Sequence, residues 1–421
     1  MTGRLPRKPL IRRQSTLDSN FAMDQQPPPL EGPSFPIAYI GAGGINFGSA
    51  EGPWNHSFRF EHKLGPRLCV QTIVDPAIST SEIVLNNKRA SFVEKAYRDT
   101  ITHQSIPKYI EASKNSGIFP KIVVIGAPPQ FRGCLIENRN AEQLLSKAFP
   151  EVAMFIEKPI STATVEEARA LDNYFKEHKH IVSVGYMFRY LKVVSQLREI
   201  IQSKKLRVIT ISARYAPTYP EISKRFWWDK TGACGPIVEQ ATHFVDLCRF
   251  IGGEINLDTV MAHAVEYDEE PGELQMISAD EKSVPGERRI PRATNAIWKF
   301  TSGAVGHLQH VVALHGNRFE ASIDVFCDGF RFHLRDLYTT PILLVRTPMN
   351  DNDIVYDFPD DDPYFGEIST LVDAVETGDR SQILSSFEDA MKTYEATWAI
   401  RLASERTTAE RRARSKKQMP K

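Results

Sequence analysis

Nowhere in this chain does an apolar run approach the ~20 residues that a helix needs to cross a bilayer, and none follows the basic residues at its start. A secretory signal is therefore not expected; Asp18 and the early prolines count against a mitochondrial leader, which leaves the cytoplasm as the expected compartment. Cysteine is scarce and scattered. Cys69, Cys134, Cys234, Cys248 and Cys327 are odd in number and form no C-x-x-C pair, which argues against a disulfide framework and against a structural zinc site. Net charge is missing too: 52 Lys and Arg residues balance 52 Asp and Glu residues, so neither nucleic acid nor an anionic membrane is the expected partner. A small molecule or another protein is.

What is present is enough apolar residue, 42% of 421, for two hydrophobic cores. Residues 1–33 are rich in Arg, Pro, Ser and Gln and read as a disordered tail. Residues 405–421 are basic without aromatics and read as a flexible tail. Between them, residues 34–186 alternate short β-rich runs (36–40, 68–74, 122–125, 152–156) with helical patterns such as 81–96 and 141–148, which predicts parallel β-α-β units in a doubly wound sheet. From 187 to 404 the pattern changes to β-rich runs without intervening helices (206–215, 293–300, 304–313, 322–326, 342–345), which predicts an α+β domain with a large, mainly antiparallel sheet. One helix is predicted from about Pro236 to Phe250 and two near the end, from Tyr364 and from Ser386; residues 267–292 read as a long acidic loop.

Gly41-Ala42-Gly43-Gly44-Ile45-Asn46 follows the first strand, where glycines let backbone N–H groups approach a pyrophosphate; Asn46 stands in the third glycine position of G-x-G-x-x-G. The next strand ends at Asp75, whose carboxylate either accepts ribose hydroxyls, favouring NAD over NADP, or caps the Asp-Pro turn. Ala127 and Pro128 form a small-residue exit after 122–125, and Glu157-Lys158-Pro159 closes the run 152–156. On one continuous helix Glu239 and His243, four apart, would share a face with Asp246 close by; either the acid orients the imidazole and raises its pKa, or the two form a helix-surface ion pair or the histidine faces the core. Tyr186 and Arg189 follow the junction at Gly185; Arg189 suits either an anionic or hydroxylated substrate or an ion pair. Trp227, Trp228 and Tyr215 suit either an aromatic wall for a sugar ring or packing. His307, His310 and His315 do not share one strand face, so no metal is expected.

The glycine loop, Ala127-Pro128-Pro129, Glu157-Lys158-Pro159 and the run from Gly235 to Asp246 together resemble the Gfo/Idh/MocA oxidoreductase family, over roughly Phe35 to Ser404. The resemblance implies a Rossmann domain that binds NAD or NADP, a second domain with an open sheet, and an active site between them. It implies a dehydrogenase or reductase acting on the CH-OH group of a sugar, cyclic polyol or related small molecule, with Lys158, His243 and Glu239 catalytic. Gly41, Gly43, Gly44, Ile45, Asn46, Asp75, Ala127, Pro128, Glu157 and Lys158 would then meet the cofactor, and Tyr186, Arg189, Trp228 and Asp246 the substrate. A homo-oligomer through the open sheet is implied as well. Where the family commonly has Asp, this chain has Glu239, which shifts the carboxylate by one C–C bond. A non-catalytic nucleotide-binding regulator and an NAD-dependent glycosidase are the family's other expectations.

Overall fold

The computed structural model describes residues 31–49, 52–220 and 222–418, so all but the last three residues of the tail expected over 1–33 lie outside it. The chain divides into two compact units. The first runs through Glu157 and takes in Tyr174–Gly185 and Tyr364–Ser386; the second comprises Lys158–Asn173, Tyr186–Pro363 and the chain from Phe387.

In the first unit β1 (Phe35–Ile40) leads through a helical turn, α1 (Gly44–Phe47), to α2 (His56–Leu64). β2 (Leu68–Val74), α3 (Ile78–Arg89), α4 (Glu94–Tyr97), β3 (Ile101–His103), α5 (Ile106–Ser116), β4 (Ile122–Ile125), α6 (Ala141–Ala148) and β5 (Ala153–Ile156) follow. α7 (Val165–His178) then leads to β6 (Val182–Val184). The six strands are parallel, in the order β3-β2-β1-β4-β5-β6. Strand order reverses between β1 and β4, and there the carboxyl ends of a doubly wound sheet leave a crevice. Every residue of β4 and β5 is buried, as unbroken apolar runs require when both faces of a sheet are covered.

The second unit holds α8 (Lys192–Ser203), β7 (Val208–Ala216), α9 (Gly235–Glu239), α10 (Thr242–Gly252), β8 (Ile255–Val265), β9 (Ala293–Phe300), β10 (Val305–Val311), β11 (Glu320–Cys327), β12 (Phe330–Arg335), β13 (Ile342–Thr347) and β14 (Asn350–Asp357). Its eight strands run in the order β14-β13-β12-β11-β7-β10-β9-β8, antiparallel except for β7 beside β10. Alternation sets the faces: Thr294, Ala296, Trp298 and Phe300 of β9 point inward, while Asn295, Ile297 and Lys299 are exposed. Residues 267–292 form the expected loop, with short 3-10 turns.

Two boundaries differ from those read in the sequence. α11 (Pro363–Thr377) belongs with the first unit rather than with 187–404, because its Ile368, Leu371 and Val372 complete the core of Phe35, Ile37, Tyr39, Phe60 and Val70. α12 (Phe387–Gln418) stays helical through the stretch expected to be a flexible tail. Its last turns are held in place. Thr407 Oγ1 donates to Ala262 O at 2.6 Å, and Arg411 and Arg412 pair with Glu269 and Asp268 of the acidic loop. Among the described residues no helix is long and apolar enough to cross a membrane.

His310, on the inward face of β10, hydrogen-bonds through Nε2 to Gln240 Oε1 at 2.9 Å, and burial pushes its imidazole down to about 3. The folded chain keeps it neutral while the unfolded chain takes up a proton below about pH 6.5. Stability that is intact above that pH is lost as pH falls, by about 2 kcal/mol at pH 5. Substituting His310→Gln, which retains a donor toward Gln240, should make the decline of the urea midpoint between pH 7 and pH 5 shallower; an unaltered decline would refute the assignment.

Candidate active site

The glycine loop is shaped by contacts at the switch point. Gly41 adopts φ +97°, which only glycine tolerates easily, and a Cβ there would lie 3.0 Å from Ala127 N. Asn46, in place of the third glycine, is fully buried and donates through Nδ2 to Gly41 O at 2.8 Å and Ile40 O at 3.3 Å. The room it needs comes from the other strand: a Cβ on Gly126 would meet Asn46 Oδ1 at 2.6 Å. The close approach usually given by the third glycine is thus made by an Asn46–Gly126 pair. Asp75 caps its turn, Oδ1 accepting the Ala77 N–H, and also ties the strand end to the glycine loop, Oδ2 accepting the Ala42 N–H, each at 2.8 Å.

Beyond β4 and β5 lie two residues that sequence reasoning missed. Arg132, 1% exposed, donates to Ala127 O at 2.8 Å and to Glu157 O at 2.6 Å, tying the two strand exits together. Burial depresses its pKa, with Glu142 and Glu157 opposing. His56, fully buried at the start of α2, meets Glu157 Oε1 through Nε2 at 2.6 Å. An isolated Arg in a loop or His at a helix start gives no periodic signal, and their partners at Glu157 are 25 and 101 residues away.

In the second unit Lys158 and Glu239 meet. Lys158 Nζ lies 3.5 Å from Glu239 Oε1 and donates to the Glu239 carbonyl at 3.1 Å, while Glu239 Oε2 accepts the Trp227 indole N–H at 3.1 Å. His243 is placed otherwise than expected. The single helix from Pro236 to Phe250 is broken at Gln240–Ala241. There the Ala241 N–H reaches back five residues to Pro236 O, so the four-residue spacing no longer stacks Glu239 on His243. Neither ring nitrogen of His243 has a hydrogen-bond partner among the described residues, and Nδ1 is buried. Its ring sits among Tyr186, Phe188 and Tyr338, with centroids at 5.8, 5.3 and 6.2 Å. The pKa, expected to rise, falls instead: burial, and then the charge of Lys158, hold it well below the ordinary imidazole range.

The residues expected to meet substrate all have partners within the fold. Arg189, 3% exposed, makes a two-pronged pair with Asp246 (Nε to Oδ2 2.7 Å, Nη2 to Oδ1 2.6 Å) and reaches Asp389 at 2.5 Å. Asp246 Oδ1 also accepts the Thr393 hydroxyl at 2.8 Å. Burial lowers the Arg189 pKa, but the two carboxylates overcome it and the net shift is upward. Tyr186 OH is engaged with Thr242 Oγ1 at 2.8 Å. Trp228 is fully buried, donates to Ile222 O at 2.9 Å and packs with Tyr219, Trp227, Ile290 and Val312. Each of these groups has a polar partner within the fold. His307, His310 and His315 face different partners: Ser212, Gln240 and Tyr219.

Breaking the Arg189–Asp246 pair leaves a buried guanidinium with only one of its two carboxylates, Asp389. Asp246→Asn should therefore lower unfolding stability by about 3–5 kcal/mol, measured by urea denaturation. A loss within about 0.5 kcal/mol, the range of ordinary surface substitutions, would show that the pair is not what holds α10 to α12.

Residues 35–186 match the oxidoreductase family with an NAD-binding Rossmann fold, and residues 189–330 match the oxidoreductase C-terminal domain. An uncharacterized protein of Schizosaccharomyces pombe is 42% identical over 380 residues, covering 90% of this chain and 93% of its own. Among solved structures, UDP-N-acetylglucosamine 3-dehydrogenase GnnA from Acidithiobacillus ferrooxidans superposes with a TM-score of 0.64 at 15% identity, over 88% of this chain and 98% of its own. KijD10, a 3-ketoreductase from Actinomadura kijaniata in complex with NADP and TDP-benzene, does so with a TM-score of 0.65 at 13% identity, over the same shares. At such identities these two likenesses speak for the fold alone. A six-stranded parallel sheet with its switch point at a glycine loop, a second and mainly antiparallel sheet, and matches over both halves make this chain an oxidoreductase of the NAD(P)-binding Gfo/Idh/MocA family.

Proposed function

We propose that the chain is an NAD(P)-dependent dehydrogenase or reductase acting on a hydroxyl or carbonyl of a sugar, cyclic polyol or related small molecule. The observation that carries this reading is the paired Lys158 ammonium together with a neutral His243 whose ring nitrogens are unengaged. The dinucleotide, when bound, supplies or accepts the hydride. The residues present fit it: the space beside Gly43 is open, Gly41 and Ala127 bring two strand exits together, and Gly44 and Ile45 open a turn whose first N–H groups have no acceptor within the helix. Asn46, Pro128 and Glu157 are the further residues that this reading assigns to the cofactor, Asn46 by shaping the loop from beneath. Asp75 keeps further lone pairs after its two backbone bonds, which suits ribose hydroxyls, and its charge opposes a 2′-phosphate, so NAD is the preferred cofactor.

In oxidation Lys158 holds the substrate oxygen and His243 takes its proton; in reduction His243 returns that proton while the ammonium stabilises negative charge on the oxygen. Glu239 balances and aims Lys158. The sugar-related choice draws on the UDP-N-acetylglucosamine 3-dehydrogenase and the 3-ketoreductase with TDP-benzene named above. Self-association would use the open sheet face, where Met261 of β8 and Ile297 of β9 are exposed cross-strand neighbours.

The test follows reduced-cofactor absorbance over a panel of sugars, cyclitols and their keto forms. On the compound turned over, Lys158→Ala and His243→Gln should each lower kcat/KM by about 100-fold or more; full activity in both variants would sink the assignment, and NAD binding without turnover of any compound would favour a regulator. Because His243 titrates well below the usual imidazole pKa, the acid limb of the kcat/KM profile should lie below pH 6.5, activity holding steady until the ring takes up a proton. Asp75→Ser should shrink any preference for NAD over NADP by about tenfold or more; an unchanged ratio would remove Asp75 from cofactor choice.

A further inference from the structure

Glu239 stands where the family commonly has Asp, and its extra methylene has a visible use. One carboxylate oxygen faces Lys158 Nζ at 3.5 Å and the other accepts the Trp227 indole N–H at 3.1 Å. Trp227 is itself fixed. It is 8% exposed, lies edge-on to Trp228 with centroids 5.3 Å apart, and belongs to a cluster against which Ile222 and the loop residues Leu274, Ile277 and Ala279 pack. Arg292, the last residue of that loop, pairs with buried Glu281 at 2.7 Å and lies over the Trp228 ring at 5.6 Å. A carboxylate with an amine as its sole partner is free to swing about its Cβ–Cγ and Cγ–Cδ bonds; a second donor on the far oxygen removes that freedom.

We infer that Trp227 is a positioning residue: its indole N–H locks the Glu239 carboxylate so that the acid presents Lys158 in one orientation, and the 267–292 loop holds the indole in place. This rests on the proposed function in taking Lys158 as the group that meets substrate. It also assigns the long loop a part in the chemistry without placing any of its residues in the site. An Asp at 239 would reach Lys158 or Trp227, not both, so the longer acid and the tryptophan form a matched pair.

A substrate-free readout tests this. An amine held in an ion pair and a hydrogen bond labels slowly with trinitrobenzenesulfonate, and labelling at Lys158 is resolved from that at other lysines by peptide mass spectrometry. Trp227→Phe keeps the ring and removes the N–H. It should speed labelling of Lys158 by about threefold, toward the rate of Glu239→Ala, and have no further effect in the Glu239→Ala background. Glu239→Asp should behave like Trp227→Phe while leaving the aromatic cluster untouched, which covers the case in which the tryptophan variant folds poorly. Two results overturn the proposal: wild-type labelling rates in both Trp227→Phe and Glu239→Asp, or an equal acceleration by Trp227→Phe whether or not Glu239 is present, which would mean a general loosening. Failure of the functional reading looks different. Labelling would respond as expected while Lys158→Ala left turnover intact.

Discussion

A half-buried ammonium has to be given acceptors, because burying a cation without them costs several kcal/mol. Lys158 meets that constraint at the C-terminal end of α9, where the Glu239 carbonyl and carboxylate both lie within reach. Helix ends leave carbonyls without internal partners, so a helix that stops at residue 239 has one to offer. The break at Gln240–Ala241 therefore has two effects. It frees an acceptor for the lysine, and by slipping the register it removes the acid from the histidine. A continuous helix would have paired Glu239 with His243 and favoured an imidazolium; the broken one separates a charged pair from a neutral ring.

Around this arrangement the second unit spends its other charges on rigidity. Arg189 and Arg249, each nearly buried, connect α10 to the start of α12: Arg189 through Asp246 and Asp389, Arg249 through the Asp389 carbonyl and the Thr393 hydroxyl. Such buried pairs add little net stability compared with apolar packing, but their geometry tolerates few alternatives. His243 rides on the helix that they pin. In the first unit Arg132 plays a comparable part with backbone carbonyls as its partners, fixing the exit of β4 against that of β5.

The elements with strong periodicity were legible in the sequence: α6 and β9 fall at the residues predicted, and the parallel and antiparallel halves follow from how helices and strands alternate. β3 and β14 were not, the first because three residues, none of them buried, carry little pattern, the second because Asn350-Asp-Asn-Asp is the polar composition of a sheet edge, which deters pairing with other chains. At the site, Lys158 and the glycine loop lie at strand ends, where their local sequence puts them. What local sequence left open depends on distant partners. Arg189, Asp246 and Trp228 have side chains that suit either a pocket or the fold, and only long-range contacts reveal the Arg189–Asp246 ion pair and the packing of Trp228. His56, Arg132 and the link from Trp227 to Glu239 had no local signature to find.

The discontinuous first unit has a consequence for the order in which the protein is made. Its core includes Ile368, Leu371 and Val372, so the parallel sheet cannot close its core until these residues leave the ribosome, after all fourteen described strands have been synthesised. At ordinary rates of about 5–20 residues per second, some 170–180 residues separate β6 from α11, and the nascent nucleotide-binding sheet waits on the order of ten seconds or more with apolar surface uncovered. A chain shortened at the end of β6 would keep that surface exposed permanently, and the glycine loop would sit on a sheet that lacks part of its own core.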